Sequence, residues 1–441
     1  MDFRQHTEET TRLLQDLLRF DTTNPPGNET PCIDFIARTL ARDGFESTVI
    51  ESAPGRGNLV TRLKGDGSLP PILIFGHVDV VPAEANRWQR PPFSGDLHDG
   101  VLWGRGAVDM KNMVAMEMMT MALLKRAGGT LRRDVIFMAN ADEEVGGVFG
   151  AKFMVEQHPD LIRAEYGITE GGAAGLELDG KSFFVCSTGE KGMARFTVRG
   201  HGKPGHASQP HMDNPILPLA IALQKLIQKP LPLHVTRTVR AQIDALSAEV
   251  GGELGRMLQA LLDPATHDDA MAELPLSDAF KRRLNATLRN TATPTILQAG
   301  TKINVIPGEA AAQVDCRVLP GTTPESIAAE VRAVVGDAVE IEFGRFTAGQ
   351  EFDPASPLLD VIRQSVREHV PGGIVIPGLI AGGTDARHTS KIGIKTYGFV
   401  PTRYEGPTMV GLAHNHDERI SVNNLMFGTQ VLHDVVAKFA R

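Results

Sequence analysis

The amino-acid sequence predicts an α/β protein in which a smaller ferredoxin-like α+β domain interrupts a larger α/β domain. Three observations carry this. Short apolar runs alternate with helically spaced segments over residues 1–190, the rhythm of a sheet covered on both faces. Near residue 190 the order becomes β-α-β-β-α-β, continuing to about 349. From 350 to 441 the first rhythm resumes, so residues 191–349 read as an insertion. A length of 441 residues suits this division, since single cores rarely exceed about 250–300 residues.

Taken in order, residues 6–19 and 31–43 have apolar positions at helical spacing, with Pro25, Pro26 and Gly27 breaking the chain between them. PILIFGHVD (71–79), RRDVIFMANADEE (132–144) and EYGITEGG (165–172) are apolar runs ending in polar loops, hence strands. The Met-rich stretch 110–126 reads as a helix between them. In the insertion, MARFTVRG (193–200) alternates like a half-buried strand, and 214–229 is a helix. Strands are expected at 294–301, 308–319 and 338–346, with a capped helix at 323–335. Residues 230–292 are charged and helical in pattern, an extra segment outside the ferredoxin-like order. A helix at 356–369, a Gly-rich turn at 382–383, a strand near 394–400 and a final helix from about 422 complete the chain.

Composition narrows the function. Hydrophobic residues at 42% and charged residues at 22% are ordinary for a globular protein. With 45 Lys+Arg against 53 Asp+Glu the net charge is −8, which argues against a nucleic-acid partner. Cys32, Cys186 and Cys316 are far apart and odd in number, so neither a disulfide framework nor a thiolate zinc site is expected. The first residues read as an amphipathic helix and no apolar stretch approaches membrane-spanning length. The expectation is a cytoplasmic protein with neither nucleic-acid nor membrane partners.

Polar residues gather where an α/β sheet places its ligands, at the carboxyl ends of strands. His77, Glu143, Glu144 and Glu170 all follow apolar runs. Each alone reads as a solvated loop residue; several at consecutive strand ends point to a metal site. In His77-Val78-Asp79 the acid can turn back on the imidazole, the usual partner of a metal-binding histidine. Asp109, in GRGAVDMK (104–111), can cap the following helix, bridge two cations, or both. Asp142-Glu143-Glu144 repel one another unless solvated or neutralised by a metal, and two glutamates permit one ligand and one general base. Near the end, GLAHNHDERI (411–420) offers His414 and His416, which spacing alone does not separate. Histidines with carboxylates suit zinc, cobalt or manganese.

These motifs together resemble the dinuclear-zinc aminoacylase and carboxypeptidase family, which includes succinyl-diaminopimelate desuccinylase, acetylornithine deacetylase, aminoacylase and glutamate carboxypeptidase. The resemblance runs through GHVDVVP (76–82), GRGAVDMK (104–111), ADEEVGG (141–147), ITEGG (168–172) and HNHDE (414–418). It implies a mixed-sheet zinc-peptidase catalytic domain with an inserted lid and dimerisation domain. It implies two divalent ions, Zn2+ by default with Co2+ and Mn2+ as alternatives. His77 and Glu170 would hold one ion and Glu144 and His414 the other, with Asp109 bridging. Glu143 would be the general base and Asp79 the orienting partner of His77. His414 is preferred because the family pattern of His, two residues, Asp or Asn, then Glu fits 414–418. His206, in GKPGHASQPHMDNP (202–215), would reach the substrate carbonyl from the partner of a homodimer. Asn304, Arg317 and the turn Gly382, Gly383 and Thr384 would bind a substrate carboxylate. Two features depart from the pattern: Asn112 replaces the usual glycine after DMK, and segment 230–292 resembles the larger carboxypeptidase-like and N-acyl-amino-acid hydrolase branches.

The implied activity is metal-dependent cleavage of an N-acyl amino acid or of the C-terminal residue of a small peptide, through a metal-activated water. Rival readings are an esterase or carbamoyl-amide hydrolase on the same site, an aminopeptidase or dipeptidase, and an inactive dimeric binding protein.

Overall fold

The computed structural model describes residues 4–172 and 175–441. The chain forms two compact units: Met1–Thr188, Phe352–Gly378 and Thr384–Arg441 make the first, and Gly189–Glu351 with Leu379–Gly383 the second. The short stretch Leu379–Gly383 goes with the second unit, where the Lys191 amide donates to the Ile380 carbonyl.

In the first unit four strands run parallel, in the order Val135–Asn140, Ile72–His77, Tyr166–Thr169 and Lys395–Gly398. Every residue of the first two is buried, which explains their unbroken apolar character. Alternate side chains serve opposite faces. Ile72, Ile74, Val135 and Phe137 join one core cluster, with Leu14, Leu17, Ile33, Met113 and Val431 from the long helices. Leu73, Phe75, Ile136 and Met138 join a second cluster with Met154, Val155 and Ile162. The helices on the first face include Arg4–Leu18, Thr30–Arg42, Lys111–Ala127 and Val422–Ala440. Two antiparallel strands, Ser47–Glu51 and Gly57–Leu63, extend the sheet beyond Val135–Asn140. The sequence reading did not anticipate them: Ser47–Glu51 is short and largely exposed, and Gly57–Leu63, though mostly buried, interrupts its apolar residues with Asn58, Thr61 and Arg62.

Register places the strand ends together. His77 pairs with Asn140, and Ile74 with Ile168, so the residues following each strand emerge at one edge. That edge carries His77, the 141–147 loop and Glu170.

The second unit has a four-stranded antiparallel sheet in the order Thr291–Ala299, Glu309–Val318, Gly192–His201 and Glu340–Thr347. With helices Ile216–Gln228 and Pro324–Val335 this is the ferredoxin-like β-α-β-β-α-β order. Phe196, Val198, Val314 and Cys316 face the helices, meeting Leu219, Ala222, Ile327 and Val331. The alternate residues Arg199, Gln313 and Asp315 lie on the other face. Thr323 and Ser326 form a capping box at the second helix. Segment 230–292 is four helices, Arg237–Val250, Gly252–Ala260, His267–Glu273 and Asp278–Thr287.

No described helix is long and apolar enough to cross a membrane. Cys32, Cys186 and Cys316 are buried free thiols.

Candidate metal centre and active site

His77 ends its strand with its ring buried. Nδ1 lies 2.9 Å from the Asp79 main-chain carbonyl and 3.4 Å from the Asp79 carboxylate. The closer partner of the ring is thus the backbone. The Asp79 carboxylate instead accepts the amides of Glu143 and Glu144, at 3.0 and 3.2 Å, and the Asn24 side chain at 2.9 Å. Asp79 orients the imidazole with its main chain and fixes the acidic loop with its side chain.

Nε2 of His77, oriented by that contact, points at acids. Asp109 Oδ1 is 3.3 Å away and Glu170 Oε1 3.6 Å away. The other oxygen of Asp109 lies 3.1 Å from His414 Nε2, which is also 3.1 Å from Glu144 Oε2. One carboxylate therefore faces one histidine with each oxygen. His77, Asp109 and Glu144 can offer ligand atoms within 4.8 Å of one another, and so can His77, Glu143 and Glu170. His77 Nε2 and Glu144 Oε1 are buried without a hydrogen-bond partner among the described residues. Nitrogen and carboxylate oxygen donors brought from five segments of the chain, two of them with unspent lone pairs, fit a divalent metal.

Electrostatics agree. Burial lowers the His77 pKa, but Glu170, Asp109 and Asp79 outweigh it and hold the ring well above its ordinary value. Hydrogen bonds to Asp109 and Glu144 raise His414 to about 10. Burial, reinforced by Asp109, raises Glu170 to about 7. Burial also raises Glu143 well above the carboxylate range, with Glu170 and Asp385 adding to it. Carboxylates that draw a proton onto the histidines would equally draw a divalent cation.

The acidic triplet does not act as one group. Asp142 has φ 74°, which turns it away from its neighbours. It is buried against Arg56 at 2.7 Å and also accepts from Asn24 and from the Phe149 amide. Arg56 in turn pairs with buried Glu29 at 2.8 Å. The expected repulsion is relieved by this partition, and only Glu143 and Glu144 face the metal edge.

Sequence reasoning missed Arg387. Its Nη2 is 3.2 Å from Glu143 Oε1 and 3.4 Å from the Glu143 carbonyl. Beside it, His388 Nε2 lies 3.0 Å from the Gly146 carbonyl, and Asp385 accepts from Asn140 at 2.6 Å. Burial raises Asp385 to about 6 and, with Arg387, lowers His388 to about 4. Gly147, with φ +70°, packs so closely that a Cβ would stand 2.5 Å from Asp385 Oδ1. The available signal was the charged run ARH directly after GGTD (382–385).

The remaining candidates lie mostly in the second unit. His206 pairs through a two-residue strand with Val305–Ile306, and its Nδ1 contacts Ser208 Oγ at 2.7 Å. Asn304 is exposed in the adjoining loop, its carbonyl accepting the Ala207 amide. Arg317 is half-buried on an interior strand, not an edge, and pairs with Asp315 at 2.7 Å. Gly382 and Gly383 belong to the second unit and Thr384 to the first. His416, the alternative to His414, has a buried Nδ1 without a partner among the described residues.

Known proteins are similar to this chain across most of its length. The model of Peptidase family M20/M25/M40 matches residues 73–438. The N-fatty-acyl-amino acid synthase/hydrolase PM20D1 of Xenopus tropicalis is 30% identical over 394 residues, covering 86% of this chain and 74% of that protein. A Dictyostelium discoideum protein named Probable carboxypeptidase S-like 2 is 31% identical over 380 residues, covering 83% and 71%. The M20 family metallo-carboxypeptidase Sso-CP2 of Sulfolobus solfataricus has the same fold, with a TM-score of 0.73 at 19% identity over 97% of this chain and 98% of that one. A chain matched over this span, with histidine and carboxylate donors converging at one sheet edge, belongs to peptidase family M20/M25/M40, the dinuclear-metal aminoacylases and carboxypeptidases.

Proposed function

We propose that this metallohydrolase cleaves the amide of an N-acyl amino acid, or releases the C-terminal residue of a short peptide, with two zinc ions. The observation that carries it is Asp109, whose two oxygens stand 3.3 and 3.1 Å from His77 Nε2 and His414 Nε2. His77 and Glu170 would hold one ion, Glu144 and His414 the other, and Asp109 both. When bound, such a pair polarises the substrate carbonyl and lowers the pKa of water toward about 7.

The chain supplies the rest. Glu143 takes the proton of the attacking water and delivers it to the departing amine, so the proton is conserved across the step. Arg387, 3.2 Å from Glu143, holds that carboxylate in place. Asp79 keeps His77 and the acidic loop in register. Arg317, Asn304 and the 382–384 turn would bind the substrate carboxylate, Arg317 exchanging Asp315 for it. His206, from a partner subunit, would donate to the carbonyl oxygen.

A homodimer through the second unit is supported by its surface. Strand Thr291–Ala299 is a sheet edge and exposes Ile296 and Leu297. Helix Ile216–Gln228, packed beside it, exposes Leu217, Ile221 and Ile227. The three buried thiols fit a reducing compartment such as the cytoplasm.

The relatives' names point to acyl amino acids and C-terminal residues as substrates. The test is a panel of N-acyl amino acids, dipeptides, their C-terminal amides, esters and carbamoyl analogues, with zinc, cobalt or manganese. Turnover of acids over amides, lost in Arg317→Ala, is expected. Equal rates on acids and amides would remove the carboxylate anchor, and preference for a free amino terminus would make the enzyme an aminopeptidase.

A further inference from the structure

We propose that Glu418, clamped by Arg105, is a positioning residue that sets Asp109 and His414 relative to each other and so governs affinity for the second of the two metal ions. This rests on the metal centre proposed above.

Glu418 is fully buried, and its carboxylate is saturated. Oε1 accepts the amides of Val108 at 2.7 Å and Asp109 at 2.9 Å. Oε2 accepts the Gly106 amide at 3.1 Å and Arg105 Nη1 at 2.6 Å. The Glu418 carbonyl also accepts the Gly104 amide. One side chain thus ties down the loop 104–109 at the residue whose carboxylate faces both histidines. Charge-assisted bonds to backbone amides are the stronger and more directional kind.

Arg105 completes the link. Its side chain is 2% exposed and its guanidinium lies over the Trp88 ring at 5.1 Å. Nη1 also donates to the Asn415 carbonyl, at 3.1 Å, one residue beyond His414. The 411–418 segment has no helix or strand of its own, and His414 and Asp417 sit at φ 62° and 59°. Non-glycine residues hold that conformation only where their surroundings impose it. The Arg105–Glu418 pair is the tether that joins this segment to Asp109.

His77 does not depend on the tether. It is placed by its strand and by the Asp79 carbonyl. Asp109 serves both ions but His414 only the second, so loss of the clamp should weaken the ion held by Glu144 and His414 more than the ion held by His77 and Glu170. Partners of this kind typically account for 10–100-fold in metal affinity.

The test titrates zinc into metal-free wild type, Glu418→Gln and Arg105→Lys in competition with a chromophoric chelator. Far-UV circular dichroism and melting of the metal-free chains check the fold. Wild type should bind two ions per chain. Folded variants should bind the second about 10–100-fold more weakly and the first with a distinctly smaller loss. Wild-type affinity for both ions, or equal weakening of both in a folded variant, overturns the proposal. If Glu418→Gln does not fold, Arg105→Lys decides by the same criterion, since it leaves the carboxylate on its three amides. A wild type that binds two ions while the variants match it defeats only the clamp; a wild type that binds none defeats the metal centre as well.

Discussion

Replacing Glu143 by glutamine separates a base from a ligand. The side chain is 11% exposed beside Arg387, and an amide of nearly the same volume leaves the packing intact. The amide cannot take the water proton. A positioned general base contributes roughly 10²–10⁴-fold, or about 3–5 kcal/mol of barrier at 1.36 kcal/mol per tenfold. Glu143 also stands within ligand range of His77 and Glu170, so geometry alone permits it to bind metal. Turnover must therefore be measured together with metal content. The expected variant retains two ions on His77, Asp109, Glu144, Glu170 and His414, and loses at least a hundredfold in kcat. Its metal-free form should be no less stable than wild type, because burial and the neighbouring Glu170 and Asp385 already disfavour the charge that is removed. Activity within tenfold of wild type at full metal occupancy would refute Glu143 as base. Loss of one ion would make it a ligand.

Three further outcomes follow from the same geometry. Arg56→Met leaves buried Glu29 and Asp142 without their cation, which should cost about 3–5 kcal/mol in urea unfolding; a change below about 1 kcal/mol would show the pairs to be dispensable. In chelated protein both His414, raised to about 10, and Glu170, raised to about 7, hold protons more tightly folded than unfolded. The stability each brings is complete below its unfolded pKa and is lost as pH rises through the folded one, so melting temperature with chelator should fall between about pH 6 and 10. Zinc-loaded protein should lose less, and a chelated protein that gains stability over that range would contradict the site's electrostatics. Leu297→Lys, on the exposed edge strand, should shift a dimer toward monomer in light scattering; an unchanged mass would place the interface elsewhere.

The sequence by itself determined the parts of this protein that depend on short-range periodicity. Fully buried runs such as Ile72–His77 and Val135–Asn140 are written as unbroken apolar segments, and the polar residue that ends each is local to it. Strand ends in a parallel sheet share an edge, so His77, the 143–144 glutamates and Glu170 were legible as neighbours before any contact was known. Naming Asp109 and His414 as ligands required the family resemblance, because nothing in a loop's sequence says what it will meet.

Only the tertiary structure decided how these groups divide their work. Asp142 and Glu143 are adjacent in sequence and look alike, yet one is turned by a left-handed residue into the Arg56 pair while the other faces Arg387. Asp79 was expected to steady His77 with its carboxylate, and does so more closely with its carbonyl, since two amides and Asn24 claim the carboxylate. Arg387 reaches Glu143 across 244 residues, and Glu418 reaches Asp109 across 309. Hydrogen bonds of such separation leave no periodic trace in a single sequence. They exist because the sheet brings distant loops to one edge, where each buried polar atom must find a partner in space.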